Sequence, residues 1–213
     1  MLEVILMKRL INSFEMGVLN MKNMGKLTVF LIPVGIAVNI VGGQIAILLK
    51  LPIWLDAIGT ILIGAICGVV PGLIVAAITQ IINAISLPTV LPYMVVGFAM
   101  AIVSAYFTKK GFFHSFKRAV LLGIIIAVIT TCISVPIDVL VFGGFIGTGN
   151  SIVAAGLMTL GLSVPVAVTI SSFTFGLVDK TLSVLVSYFI IKSMPMHFLA
   201  KLPMSEYILP DRK

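Results

Sequence analysis

Long apolar runs, separated by short polar breaks or breaks that contain glycine and proline, dominate the chain. The runs approach 20 residues and do not alternate with a period of two, which favours membrane-spanning helices over β-strands. We therefore predict six spans. They cover residues 27–49, 53–70, 73–86 and 93–107, a fifth segment that follows the 109–118 loop and ends near Phe142, and 165–192.

The breaks between these runs have different compositions. Pro71 and Gly72 are predicted to separate the second span from the third, and SLPTVLP (86–92) is predicted to form a turn. The glycine-rich GGFIGTGNS (143–151) is predicted to be a linker. It is followed by an apolar stretch, ending at Leu162, that the pattern leaves unassigned.

Composition supports the membrane interpretation. The chain is 60% apolar and only 10% charged, whereas soluble domains carry about 25% charged residues. We predict an all-α integral membrane protein whose residues 27–213 form one six-helix domain with a short cytoplasmic tail. Residues 1–26 are compatible with a cytoplasmic amphipathic helix on the membrane surface.

The basic residues predict the orientation. If both termini are cytoplasmic, twelve of the 14 Lys and Arg residues lie inside, Lys50 lies outside and Lys180 lies within the membrane. An excess of Lys and Arg is typical of cytoplasmic loops. It explains the net charge of +7 without a nucleic-acid partner.

Sequence motifs for catalysis are missing. The chain contains no GxxxxGK[ST], HExxH or GxSxG motif, and Cys67 and Cys132 both lie inside apolar runs. We predict no enzyme activity, cofactor, metal site or disulfide. Uphill transport would then need an ion gradient or partner subunits as its energy source.

Asp179 and Lys180 interrupt the last apolar run. Charged residues inside a membrane span are rare and usually functional. Asp179 lies 13 residues before Lys192, a helical distance of about 20 Å, so both charges are predicted to lie in the outer half of the membrane. Because adjacent helical residues point about 100° apart, they are not expected to face each other.

Further polar residues are predicted at the same depth, and some recur at helical spacing. Ser172, Gly176 and Asp179 lie on one helix face, and so do Thr130, Ser134 and Asp138. Such faces must contact protein or water. We interpret them as walls of a cavity open to the outside, with helix packing, and an N-terminal cap by Asp56, as the alternatives. The candidate binding residues are Asn39, Gln44, Trp54, Asp56, Gln80, Asn83, Tyr93, Asp138, Asn150, Asp179 and Lys180.

Small residues are concentrated toward the inner half of the first two spans. Gly64, Gly68 and Gly72 form a GxxxGxxxG pattern, and Gly35 and Ala37 lie on the first span. Such small residues allow two helices to approach each other closely. We interpret Gly35, Ala37, Gly64 and Gly68 as a docking face for another membrane subunit, with internal packing as the alternative.

Two stretches carry a family resemblance. PVGIAVNIVGGQIAILLKLPIWLDAIGTILIGAICGVVPGLIVAAI (33–78) resembles the first half of the S components of energy-coupling factor (ECF) transporters, and GLVDKTLSVLVSYFIIK (176–192) is similar to their last helix. The resemblance implies a vitamin-binding subunit of a prokaryotic plasma membrane that works with a transmembrane T component and two ATP-binding-cassette ATPases. It also implies substrate contacts at Asp138, Asn150, Asp179 and Lys180, beside a loop that contains Trp54 and Asp56.

Other functions remain open from the residues themselves. One is a stand-alone proton-coupled transporter with Asp138 or Asp179 as the relay, and another is a membrane sensor that binds its ligand without moving it. The substrate is open as well, since Lys180 suits a carboxylate or phosphate, whereas the acidic residues suit an amine or hydroxyl. The aromatic residues favour a small heterocycle such as a vitamin precursor.

Overall fold

A computed structural model describes residues 25–49, 51, 53–144 and 149–209, without the side chains of Ile47 and Asn150. Every regular element within these ranges is a helix. The predicted amphipathic helix of residues 1–26 falls almost entirely outside them. The helices are α1 (Lys26–Leu48), α2 (Ile58–Cys67), α3 (Val69–Ser86), a 3₁₀ helix (Pro88–Tyr93), α4 (Met94–Lys109), α5 (Phe116–Leu140), α6 (Gly149–Thr159), α7 (Val164–Ser193), α8 (Met196–Leu199) and α9 (Ser205–Ile208).

Five helical segments in the described part of the chain are long and apolar enough to cross a membrane. They match the first, third, fourth, fifth and sixth predicted spans, and the all-α multi-pass character of the chain follows from them. They cover Lys26–Ala46, Val69–Ser86, Pro88–Lys109, Phe116–Leu140 and Val164–Ser193.

The second predicted span, 53–70, is not a spanning helix. Its helical part is α2, which has 10 residues and a length of about 15 Å, half the thickness of the hydrocarbon core. All ten residues are buried, with α1, α3, α4 and α7 packed around them. An apolar run of this kind does not distinguish a helix buried in protein from one that crosses lipid.

The break between α2 and α3 lies at Gly68 and not at Pro71–Gly72. Gly68 has φ 97°, a conformation that glycine adopts without steric penalty. Pro71 lies in the first turn of α3, where its missing N–H would have no helical partner anyway. Gly72 serves packing instead, because a Cβ there would lie 3.0 Å from the Cα of Gly64.

The helix pair α5–α7 forms the largest contact between elements in the described structure. The two helices run in opposite directions, since Asp138 contacts Ser172 near one end and Gly123 contacts Thr181 near the other. A Cβ on Gly123 would lie 2.5 Å from the Thr181 Cα. On α7 the buried Ser187 hydroxyl donates to the Ile58 carbonyl at 3.2 Å, which joins this helix to α2.

Residues 196–209, the segment after α7, cover the end of the bundle at which α2 ends. Leu199, Leu202 and Ile208 are buried there. The Met204 N–H donates to the Ile66 carbonyl at 3.3 Å, which satisfies one of the carbonyls that the short α2 leaves without a helical partner. The segment therefore caps the C-terminal end of α2.

The predicted docking residues separate into two groups. Gly35 and Gly64 are buried, and an added Cβ would lie 2.5 Å from an Ile63 side-chain carbon and 3.0 Å from the Ala101 carbonyl oxygen, respectively. Internal packing accounts for both, so neither is available to a partner. Gly68 forms the α2–α3 break, whereas Ala37 is exposed on α1.

Gly59 provides a test of this packing. A Cβ at Gly59 would collide with the Gly35 carbonyl oxygen and lie 2.9 Å from Asn39 Oδ1. We expect Gly59→Ala to destabilise the protein by about 1–3 kcal/mol and to lower its thermal midpoint in detergent. The matched control is Gly156→Ala in α6, where an added Cβ meets nothing within 4 Å. Equal midpoints for the two variants would contradict the packing described here.

Candidate functional site

Residues 53–57, just before α2, are not helical, and they pass beside Asp179 of α7. The backbone N–H groups of Trp54 and Leu55 donate to Asp179 Oδ1 at 3.2 and 2.9 Å. Leu55 has φ 52°, an uncommon conformation for a side chain of this kind. Non-helical backbone at membrane depth must find its hydrogen bonds within the protein. Asp179 supplies them to this segment.

Asp179 also contacts its neighbour in sequence. Its Oδ2 lies 2.5 Å from the Lys180 Nζ, so the expectation that the two would not face each other is wrong. The lysine side chain is long enough to bend back along the helix. Lys180 also interacts electrostatically with Asp56, so a second carboxylate influences the same ammonium group.

Asn39 of α1 caps the start of α2. Its Oδ1 accepts hydrogen bonds from the N–H groups of Gly59 at 2.6 Å and Thr60 at 3.3 Å. Its Nδ2 donates to the hydroxyls of Thr60 at 2.9 Å and Thr79 at 3.2 Å. The residue is 0% exposed. It performs from another helix the task that an N-cap residue performs locally.

A cavity of about 130 Å³ lies beside these two anchor points. It is lined by residues of α1, the 53–57 segment, α2, α3, the 3₁₀ helix, α4, α5 and α7. Its polar wall consists of Asn39, Trp54, Asp56, Thr60, Thr79, Gln80, Tyr93, Thr130, Thr131, Ser134, Asp138, Ser172 and Lys180.

Asp138 occupies one end of the cavity. The Tyr93 hydroxyl donates to its Oδ1, and the Ser172 hydroxyl donates to its Oδ2 at 3.3 Å. The Tyr93 ring stacks on Phe142, with centroids 6.2 Å apart. Lys180 lies eight residues after Ser172 on α7, about 12 Å along the helix axis. The cavity thus has a carboxylate end and a separate end that holds an ion pair.

Seven of the predicted site residues lie on the cavity wall. They are Asn39, Trp54, Asp56, Gln80, Tyr93, Asp138 and Lys180. Asp179 is buried behind the wall, where it holds the 53–57 segment. Gln44 is exposed on α1, Asn83 is half-buried outside the cavity, and the side chain of Asn150 is not among those described. A substrate contact by any of the eleven stays a prediction.

Other wall residues were not predicted. Thr60 and Thr79 bind Asn39, while Val96, Gly97 and Met100 form an apolar side of the cavity. Thr60 lies in an apolar helix without a polar repeat, so periodicity does not single it out. Thr79 directly precedes Gln80, and the pair is the one sequence signal that was available for it.

The cavity suits a small solute. Ligand pockets combine apolar surface with a few placed polar groups, and this wall has both. A cavity of about 150 Å³ accommodates a benzene-sized molecule, so about 130 Å³ is enough for a single ring. Comparisons with known proteins add no relative, because no family model matches the chain and neither a curated protein nor a solved structure matches it significantly.

We predict that Asp179→Ala releases the segment before α2. The substitution removes the acceptor for two backbone N–H groups and leaves Lys180 without its closest counter-ion. Breaking a buried ion pair typically destabilises a protein by about 3–5 kcal/mol. Hydrogen–deuterium exchange in nanodiscs should show at least tenfold faster exchange at residues 53–57, together with a lower thermal midpoint.

Ser183→Ala is the matched control for this change. Ser183 is buried one turn further along α7, and its hydroxyl has no hydrogen-bond partner among the described residues. Its removal should leave exchange at residues 53–57 unchanged. If Asp179→Ala behaves like Ser183→Ala, the aspartate does not hold the segment.

Proposed function

We propose that this chain is the substrate-binding S component of an ECF-type importer. In this role it captures a water-soluble vitamin or vitamin precursor from outside the cell. It then delivers the solute inward together with a T component and two ATP-binding-cassette ATPases. The chain itself catalyses no reaction, and the partner ATPases supply the energy.

The observation that carries this proposal is the cavity between Asp138 and Lys180. It is about 130 Å³ in volume, lies inside a bundle of apolar helices and has a wall that combines hydroxyls, charges and aromatic rings. Polar surface at this depth is expensive unless it contacts protein or water. A solute-binding role accounts for this polar surface. Because the chain has no ATP-binding motif, the energy for transport comes from the partner ATPases.

The charge distribution supports the proposed orientation. With both termini cytoplasmic, Lys109, Lys110 and Lys192 lie at the cytoplasmic ends of their helices, as basic residues do in most membrane proteins. Asp138, near the opposite end of α5, then lies toward the outer side of the membrane. In this arrangement residues 53–57 and α2 together cross the membrane between α1 and α3, which brings the number of crossings to six.

The exposed side of α1 is the proposed docking face for the T component. It presents Phe30, Val34, Ala37 and Val41, which recur at steps of three and four residues and so lie on one face. Ala37 is the smallest of them and permits close helix approach.

Affinity purification from the native membrane in mild detergent tests the class of protein. We expect mass spectrometry to find a T component, two ATPases and a retained small molecule. A chain that purifies alone and without ligand, and that binds no vitamin from a panel, would contradict the proposal.

Asp138→Asn tests the site. The substitution preserves the size of the side chain but removes its charge, and we expect solute affinity to fall at least tenfold, about 1.4 kcal/mol. Gln44→Ala is the control, because Gln44 is exposed outside the cavity. Isothermal titration with the co-purified solute measures both. Equal loss in the two variants, or loss in neither, would place the binding site elsewhere.

One feature favours a second candidate, a stand-alone proton-coupled transporter. Asp138 is 3% exposed and hydrogen-bonded to Tyr93, and buried carboxyl groups of this kind serve as proton relays in transporters. The purified chain alone in liposomes distinguishes the two. Uptake driven by a pH gradient supports the relay, whereas solute binding without uptake supports the importer subunit.

A further inference from the structure

The charges around the cavity do not balance. Asp56, Asp138 and Asp179 carry three formal negative charges, and Lys180 carries one positive charge. An uncompensated charge in a low-dielectric interior is strongly unfavourable, so a buried carboxyl group there binds either a proton or a cation. A bound solute that carries a positive charge would reduce the excess, whereas an anion would increase it.

Lys180 is already paired with a carboxylate of the protein. Its Nζ contacts Asp179 Oδ2 at 2.5 Å, and it also interacts electrostatically with Asp56. A carboxylate or phosphate on a solute would compete with Asp179 for the Lys180 ammonium group. Displacement of Asp179 would also remove the partner of the Trp54 and Leu55 N–H groups.

Four hydroxyl groups of the wall are already used as donors within the protein. Tyr93 and Ser172 donate to Asp138, Thr130 donates to the Ile126 carbonyl at 2.8 Å, and Ser134 donates to the Thr131 carbonyl at 3.5 Å. Their oxygen atoms retain lone pairs, and an ionised carboxylate is an acceptor only. The wall between Asp138 and Thr130 therefore offers acceptors to a solute.

We propose that the cavity selects a compact, single-ring solute that carries a protonated amine, and that it excludes anions of the same size. This inference rests on the proposed function, because it names the substrate class of the same cavity. The amine binds at the Asp138 end, where the carboxylate has no cation beside it among the described side chains. The volume of about 130 Å³ restricts the solute to about one ring.

Thiol chemistry tests the charge preference without knowledge of the natural ligand. Ser134→Cys is prepared in a background in which Cys67 and Cys132 are replaced by alanine, and the full chain is reconstituted in nanodiscs. Reaction rates are measured with 2-aminoethyl methanethiosulfonate, a cation, and with 2-sulfonatoethyl methanethiosulfonate, an anion. Ser86→Cys, at the exposed end of α3, provides the reference ratio for a thiol outside the cavity.

We expect the cation-to-anion rate ratio at Ser134→Cys to exceed that at Ser86→Cys at least tenfold, and Asp138→Asn to reduce the difference. Thr131→Cys, on the same wall, replaces Ser134→Cys if that variant does not elute as a single species. Equal ratios, a preference for the anion, or no reaction inside the cavity would each overturn the inference. Co-purification of the ATPases is measured separately, so an importer subunit without a cation preference would fail this inference alone.

Discussion

Backbone groups that leave a helix inside a membrane must be hydrogen-bonded by the protein itself, and the rest of this structure depends on how that requirement is met before α2. Asp179 accepts hydrogen bonds from the backbone of Trp54 and Leu55. Asn39 accepts from the first turn of α2 and binds two threonines. These two buried side chains, one on α1 and one on α7, allow α2 to begin inside the bundle.

The same arrangement places the non-helical residues 53–57 beside the cavity. The segment then contributes Trp54 and Asp56 to the wall. Asp179 acts on the site indirectly, because it positions the segment and pairs with Lys180, whose ammonium group reaches the cavity. The charged cluster of Asp56, Asp179 and Lys180 therefore both holds residues 53–57 in place and contributes to the cavity wall.

Much of the fold could be predicted from the sequence, because long apolar runs leave few alternatives. The predicted last span of 165–192 corresponds to Val164–Ser193, and the polar repeat that ends at Asp138 does line the cavity. The shortness of α2 could not be predicted, since a partner 124 residues away in sequence holds its entry segment. The contact between Asp179 and Lys180 was missed for a related reason, because helical spacing describes where side chains leave the helix and not where a long lysine ends.

The central claim is that residues 53–57 lie inside the helical bundle, and Trp54 reports on it directly because it is the only tryptophan in the chain. Its fluorescence in nanodiscs can be measured on the unaltered protein, with iodide as a water-soluble quencher. We predict blue-shifted emission and quenching far weaker than that of free tryptophan. Emission typical of water together with full quenching by iodide would show that the segment is a surface loop, and would contradict both the anchoring by Asp179 and the cavity that depends on it.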